Sequence, residues 1–136
     1  MTREEIIALT SEWQARLGLD QWMIDVRFEE PEEETAAMEC HRSSQYEQAT
    51  LVVKPDLVDW AKPEEWFGPE LDDFFLEKSI VHELLHCHTR DIRRVEDTFE
   101  EKLHKDVYEV VEASYVRAEE QLVDRLAVAL VRAWND

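Results

Sequence analysis

Two histidines and a glutamate at helical spacing are the residues of this sequence best suited to chemistry. They form the motif His82-Glu83-Leu84-Leu85-His86, written HExxH. Because residues i and i+4 of an α-helix lie about 40° apart, both imidazoles can bind one metal ion. Glu83, about 100° around the helix from His82, reaches the open fourth position, where it can deprotonate a zinc-bound water. The motif therefore predicts one catalytic Zn²⁺ ion with Glu83 as the general base.

Apolar residues around this motif argue against a helix face that carries only solvated side chains. Ile80 and Val81 precede the motif, and Leu84 and Leu85 lie within it. Imidazoles in such a helix need hydrogen-bond partners or a metal ion. A catalytic zinc usually has three protein ligands, so a further ligand is expected beside the two histidines.

The residues after the motif exclude one class of third ligand. In the extended pattern HExxHxxGxxH, Thr89 stands at the glycine and Ile92 at the last histidine, which excludes the astacin-like and matrixin-like classes. His88 lies about 200° around the helix from His86, on the wrong face. The third ligand is therefore expected on another element.

The last predicted helix offers two glutamates as the third ligand. Glu120 and Asp124 share a helix face, so Glu120 can bind zinc while Asp124 accepts the outer N–H of a ligand histidine. Glu119 is the alternative, because it lies in the apolar arc of the helix, where a carboxylate is costly unless paired or metal-bound. We favour Glu120, since an aspartate follows it at helical spacing.

These two motifs together resemble a known arrangement. The HExxH motif with Glu120-x-x-x-Asp124 is similar to the gluzincin class of zincin metallopeptidases. The stretch from Glu120 to Ala127 resembles the signature of minimal ImmA/IrrE-type or phage-type peptidases, with Val123 and Leu126 in place of its alanine and phenylalanine. The resemblance implies a protease that acts on peptide bonds.

The resemblance also implies two further parts of a site. One is an antiparallel edge strand that pairs with extended peptide, for which residues 48–54 are the candidate. Its central residues are Thr50, Leu51, Val52 and Val53. The other is a side chain that stabilises the transition state. The foremost candidates are Tyr115 and Tyr108, and the others are His104, His41, Arg42 and Tyr46.

Hydrophobic periodicity predicts the elements that must position these residues. The predicted order is a helix over residues 3–17 that Gly18 ends, strands at 24–28, 35–41 and 48–54, and helices at 71–93 and from Glu100 or Asp106 to Trp134. Residues 55–70, rich in proline and tryptophan, read as irregular. The sequence thus predicts an α+β fold of one zincin-like domain over residues 1–136, with a three- to four-stranded sheet.

Composition limits the partners. The formal net charge is −18, which disfavours nucleic acid and anionic membranes and favours a basic peptide or protein. No apolar run is long enough to span a membrane, and the first residues lack the apolar region of a signal peptide. Two cysteines make no disulfide framework, so we predict a cytoplasmic protein with reduced thiols.

Two other functions stay open at this level. The domain could be a non-catalytic, zinc-stabilised binding or regulatory module for a basic protein partner. It could also hydrolyse a non-peptide amide. Structural zinc sites are usually closed and rich in thiolate ligands, whereas this sequence offers three ligands and a glutamate at the position of the base. That donor set favours catalysis.

Overall fold

The computed structural model of this chain describes residues 1–58, 64 and 71–136. Within these residues the chain forms three α-helices and one three-stranded sheet, which confirms the predicted α+β layout. The elements are α1 (Arg3–Arg16), β1 (Met23–Phe28), β2 (Met38–Arg42), β3 (Gln48–Val53), a 3₁₀ turn (Pro55–Leu57), α2 (Asp73–Asp97) and α3 (Lys105–Asn135). Most of the predicted irregular segment 55–70 lies outside the described residues.

Helix α2 carries the HExxH motif and begins at a capped residue. The Asp72 side chain accepts the N–H of Phe75 and so satisfies a helix N-terminal donor. One face of the helix is buried, with Ile80 and Val81 0% exposed and Leu84 1% exposed. This burial fixes the rotation of α2, so the motif's polar residues lie on the face that turns away from the core.

The order of strands in the sheet corrects one prediction. The order is β1-β3-β2, with β1 parallel and β2 antiparallel to β3. Strand β3, with Thr50, Leu51, Val52 and Val53, is therefore central and pairs on both sides, so its assignment as the peptide-binding edge strand was wrong. Its continuous apolar run is typical of a strand buried on both faces. Among the residues that the structure describes, β2 is the edge strand next to α2.

Helix α3 packs on α2 along a single stripe. Glu119, Val123, Ala127 and Val131 recur every four residues and are buried. Leu122, one position away from this stripe, is 52% exposed. Among the described residues, no helix is long and apolar enough to cross a membrane. The residues of this stripe are the ones that α3 packs against α2, and Glu119 is the carboxylate among them.

The C-terminal end of α3 is held against α1 by aromatic packing. The Trp13 and Trp134 rings meet edge-on with centroids 6.1 Å apart, and the Arg16 guanidinium lies 3.9 Å from the Trp134 centroid. Trp13 is 2% exposed and its Nε1–H donates to Glu77 of α2 at 2.7 Å. Trp13 thus joins all three helices.

Replacing Trp13 by alanine is expected to lower the free energy of unfolding by about 3–5 kcal/mol, because it leaves a cavity where the helices meet. Chemical denaturation followed by circular dichroism measures this loss. Tyr46, whose side chain is 62% exposed, provides the control. Tyr46→Ala is expected to change stability by less than about 0.5 kcal/mol, and equal losses in both variants would contradict the assigned packing.

Candidate metal centre

Helices α2 and α3 bring three donor side chains together at the mouth of a cleft. His82 and His86 lie one turn apart on α2, with ring centroids 5.2 Å apart. The Glu120 carboxylate of α3 lies between them, with Oε2 3.1 Å from His82 Nε2 and Oε1 3.0 Å from His86 Nε2. The three residues each offer a ligand atom, and these atoms lie within 4.8 Å of one another.

This donor set fits zinc by its chemistry. Zinc in catalytic sites takes three protein ligands, often imidazole nitrogen and carboxylate oxygen, and keeps a fourth position for water or substrate. The two imidazoles are about 15% exposed and Glu120 is about half exposed, so the group opens to solvent on one side. A closed structural site would instead surround the ion with four protein ligands.

Two more carboxylates face the outer nitrogens of the histidines. Glu119 Oε1 lies 2.9 Å from His86 Nδ1, and Asp124 Oδ1 lies 3.6 Å from His82 Nδ1. Asp124 also accepts a hydrogen bond from Lys78 at 3.1 Å. Such outer carboxylates fix the proton on Nδ1 and leave Nε2 for a metal. Glu120 thus lies with the two Nε2 atoms, whereas Glu119 lies at the Nδ1 atom of His86.

The two histidines differ in their electrostatic surroundings. Burial lowers the pKa of His82, and the neighbouring charge of His86 lowers it further. Burial opposes the charged form of His86 as well, but the hydrogen bond to Glu119 and the charges of Glu83 and Glu120 outweigh it and raise its pKa. The acidic surroundings therefore act most strongly on His86.

Glu83 lies beside the three donors, in the cleft. Burial raises the pKa of its carboxyl to about 7, and the charge of Glu120 adds to this effect while the charge of His86 opposes it. The backbone of Cys40 in β2 also lowers the pKa of this carboxyl, against the effect of burial. A carboxyl group with a pKa near neutrality is suited to accept and return a proton.

Glu119 is ionised despite its burial. Burial opposes its charged form, but hydrogen bonds from His86 and Thr89 and the charge of Arg42 lower its pKa to about 2. Sequence reasoning missed Arg42 in this role and weighed it only as a transition-state stabiliser. The signal that was available is the buried position of Glu119, because a buried carboxylate needs a cationic partner.

The cleft is an open cavity of about 670 Å³ between β2, α2 and α3. Its walls include the whole of Met38–Arg42, which is the edge strand β2. Glu32 and Glu33 extend the wall before this strand, and Lys78 and Arg93 contribute positive charge from α2. The candidate metal ligands and Glu83 also line the cleft, so a molecule bound along β2 would pass directly in front of them.

Backbone groups of β2 alternate between its partner strand and the open edge of the sheet. The C=O of Ala37 and the N–H of Ser43, which flank β2, are both hydrogen-bonded to the opposite chain segment. In an antiparallel pair, every second residue directs its backbone N–H and C=O at the partner strand, so the odd-numbered residues from 37 to 43 face β3. The backbone groups of Met38, Cys40 and Arg42 therefore point toward the open edge.

The tyrosines predicted to stabilise a transition state are not brought to the cleft. Tyr115 O–H donates to the backbone C=O of Thr89 at 3.4 Å, and the Arg93 guanidinium lies over the ring. Tyr108 is buried and its hydroxyl donates to Asp97 at 3.5 Å. Both side chains belong to the contact between α2 and α3.

Of the remaining candidates, two line the cleft and two do not. His41 and Arg42 are in its wall, since both belong to β2. His41 Nε2 lies 3.0 Å from the Glu39 carboxylate. His104 caps the start of α3, and Tyr46 lies in the turn between β2 and β3. His88 also lies away from the donors, with Nε2 2.8 Å from the backbone C=O of Leu17, as its helix position predicted.

Comparison of this chain with protein-family models, curated proteins and solved structures found no match. The resemblance to zincin metallopeptidases therefore stays a prediction. It depends on the HExxH motif, on Glu120 with Asp124, and on the geometry that brings them together.

Proposed function

We propose that this protein is a zinc-dependent metallopeptidase whose ligands are His82, His86 and Glu120. The observation that carries the proposal is the convergence of two Nε2 atoms and one carboxylate within 4.8 Å, with Glu83 beside them. The three residues come from two helices and are 38 positions apart at their extremes, so helix periodicity alone does not produce this arrangement. Three ligands and an adjacent carboxyl are the parts that hydrolysis requires.

Zinc, when bound, acts as a Lewis acid and lowers the pKa of a bound water to about 7. Glu83 is the residue placed to move protons. Its carboxylate accepts the proton of the attacking water and returns it to the amine that leaves. His86 is held by its hydrogen bond with Glu119, so its Nε2 keeps one orientation during this transfer, and the Asp124 carboxylate lies 3.6 Å from the Nδ1 atom of His82.

An extended peptide is the substrate that the cleft favours. The outward N–H and C=O groups of β2 allow a peptide to add as a further strand, a common mode of recognition. Lys78, Arg42 and Arg93 in the cleft are already paired with carboxylates, whereas the cleft wall also carries Glu32 and Glu33. The net charge of −18 also attracts positively charged peptides, so we expect a preference for basic peptides.

Zinc binding provides the first test. The wild-type protein is expected to bind one zinc ion, and His82→Ala is expected to weaken binding by more than about 100-fold, since even outer-shell partners of a ligand contribute about 10–100-fold. Isothermal titration on metal-free protein measures both. His88→Ala is the matched control, because His88 lies on the same helix and its ring nitrogen lies 2.8 Å from the backbone C=O of Leu17, away from the three donors.

Cleavage of a mixed peptide library by the zinc-loaded protein provides the second test. Cleavage products that are absent with His82→Ala support the proposal. A protein that binds zinc and cleaves no peptide would instead favour the non-catalytic module for a basic partner. A wild-type protein that binds no zinc, with ligand variants as stable as wild type, would exclude both functions.

A further inference from the structure

Arg42, the last residue of β2, joins the edge strand to the candidate metal centre. Its Nη1 donates to the backbone C=O of His86, to Thr89 Oγ1 at 2.8 Å and to Glu119 Oε1 at 3.1 Å. The Arg42 and Glu119 side chains are 17% and 7% exposed, so the pair is largely shielded from solvent. A charged pair in such surroundings is held more firmly than one at the surface.

A single carboxylate oxygen, Glu119 Oε1, is the partner of Arg42, Thr89 and His86. Oε1 accepts from Thr89 Oγ1 and from Arg42, and it lies 2.9 Å from His86 Nδ1. A neutral imidazole carries its proton on one nitrogen only, and a carboxylate at Nδ1 holds the proton there. The lone pair of Nε2 is then directed at the carboxylate of Glu120.

We infer that Arg42 is a positioning residue for the metal centre. It holds Glu119 as the acceptor of the His86 Nδ1–H and thereby keeps His86 Nε2 directed at the ion. This inference rests on the proposed function only in taking His86 Nε2 as a metal ligand. Because Arg42 also ends β2, the same guanidinium ties this strand to the backbone of His86.

The test compares zinc affinity among variants by chelator competition. Arg42→Ala and Arg42→Gln are each expected to weaken zinc binding by about 10–100-fold. Arg42→Lys keeps a positive charge and is expected to recover most of the loss. Addition of guanidinium ion at low millimolar concentration is expected to restore part of the affinity of Arg42→Ala, which a general loss of structure would not allow.

Arg90 provides the matched control. It is 7% exposed and joins α2 to the turn after β2 through the backbone C=O of Tyr46 and the carboxylate of Glu47, and neither contact involves Glu119. Arg90→Ala is expected to lower the free energy of unfolding and to leave zinc affinity within about twofold of wild type, because outer-shell effects act through the ligands.

A second measurement follows the His86 ring itself. In zinc-loaded protein, proton NMR is expected to show the Nδ1 proton of His86 as a slowly exchanging signal that is lost or exchanges faster in Arg42→Ala. Wild-type zinc affinity in folded Arg42→Ala or Arg42→Gln would overturn the inference, as would an equal loss in Arg90→Ala. Wild-type protein that binds no zinc would overturn the proposed function, and this inference with it.

Discussion

Replacing Glu83 by glutamine is expected to lower the rate of peptide hydrolysis by about 10²–10⁴-fold while zinc stays bound. Glutamine keeps the size of the side chain but has no basic oxygen to accept a proton. The carboxylate lies beside the ligands without being one of the three convergent donors, so the metal affinity should change little. Initial rates with a cleaved peptide, together with zinc titration of the same samples, measure both quantities.

Another glutamate of α2, Glu96, serves as the control for this substitution. Glu96 is 6% exposed, and its carboxylate lies 3.2 Å from Arg93 Nη1, outside the wall of the cleft. Glu96→Gln is expected to change stability and to leave kcat near that of wild type. If Glu83→Gln hydrolyses peptide as fast as wild type, Glu83 is not the general base. If Glu83→Gln instead loses zinc together with its activity, Glu83 acts as a ligand.

The helices were predictable from the sequence, because they depend on local spacing. Apolar residues at helical intervals gave α1 and α2 to within a few residues, although α2 extends to Asp97, beyond the predicted end at 93. Gly18, with φ +69, follows α1 as the predicted stop. The burial of Ile80 and Val81 also follows from the periodic pattern.

The edge of the sheet was not predictable, because strand order is a tertiary property. Residues 24–28 alternate apolar and polar side chains as in a half-buried strand, whereas residues 48–54 were assigned to the edge because of the resemblance. Strand β2 carries Glu39, His41 and Arg42, and such polar side chains are common on edge strands. That composition was the available signal, whereas the strong apolar run of β3 indicated a central strand.

The two adjacent glutamates of α3 show where helical spacing stops being informative. Glu119 and Glu120 lie about 100° apart around the helix, so either could face α2. The buried stripe of Val123, Ala127 and Val131 includes Glu119, which places it under His86 and turns Glu120 toward the cleft. The same packing of α3 on α2 decides which side chains reach the cleft. It directs Tyr115 at the backbone of Thr89 rather than into the cleft, which the sequence alone did not predict.

Substituting these two glutamates by alanine is expected to separate metal affinity from stability. Glu120 is about half exposed, so Glu120→Ala should change the free energy of unfolding of metal-free protein by less than about 0.5 kcal/mol. Glu119→Ala leaves the largely shielded Arg42 without its carboxylate partner and should cost about 3–5 kcal/mol. Urea denaturation of metal-free protein gives both values.

The loss of zinc affinity is expected to be larger in Glu120→Ala than in Glu119→Ala, the reverse of their losses of stability. Glu119→Ala should weaken binding by about 10–100-fold, as for other outer partners of a ligand histidine, and Glu120→Ala should weaken it further because a direct ligand is lost. Chelator competition at a temperature where both variants are folded gives the comparison, with Glu119→Gln in place of the alanine variant if that does not fold. Weaker binding by the Glu119 variant than by Glu120→Ala would assign the ligand position to Glu119. The carboxylate at Glu120 would then be the outer partner, and the helix face that α3 presents to the ion would be rotated by about 100° from the one described.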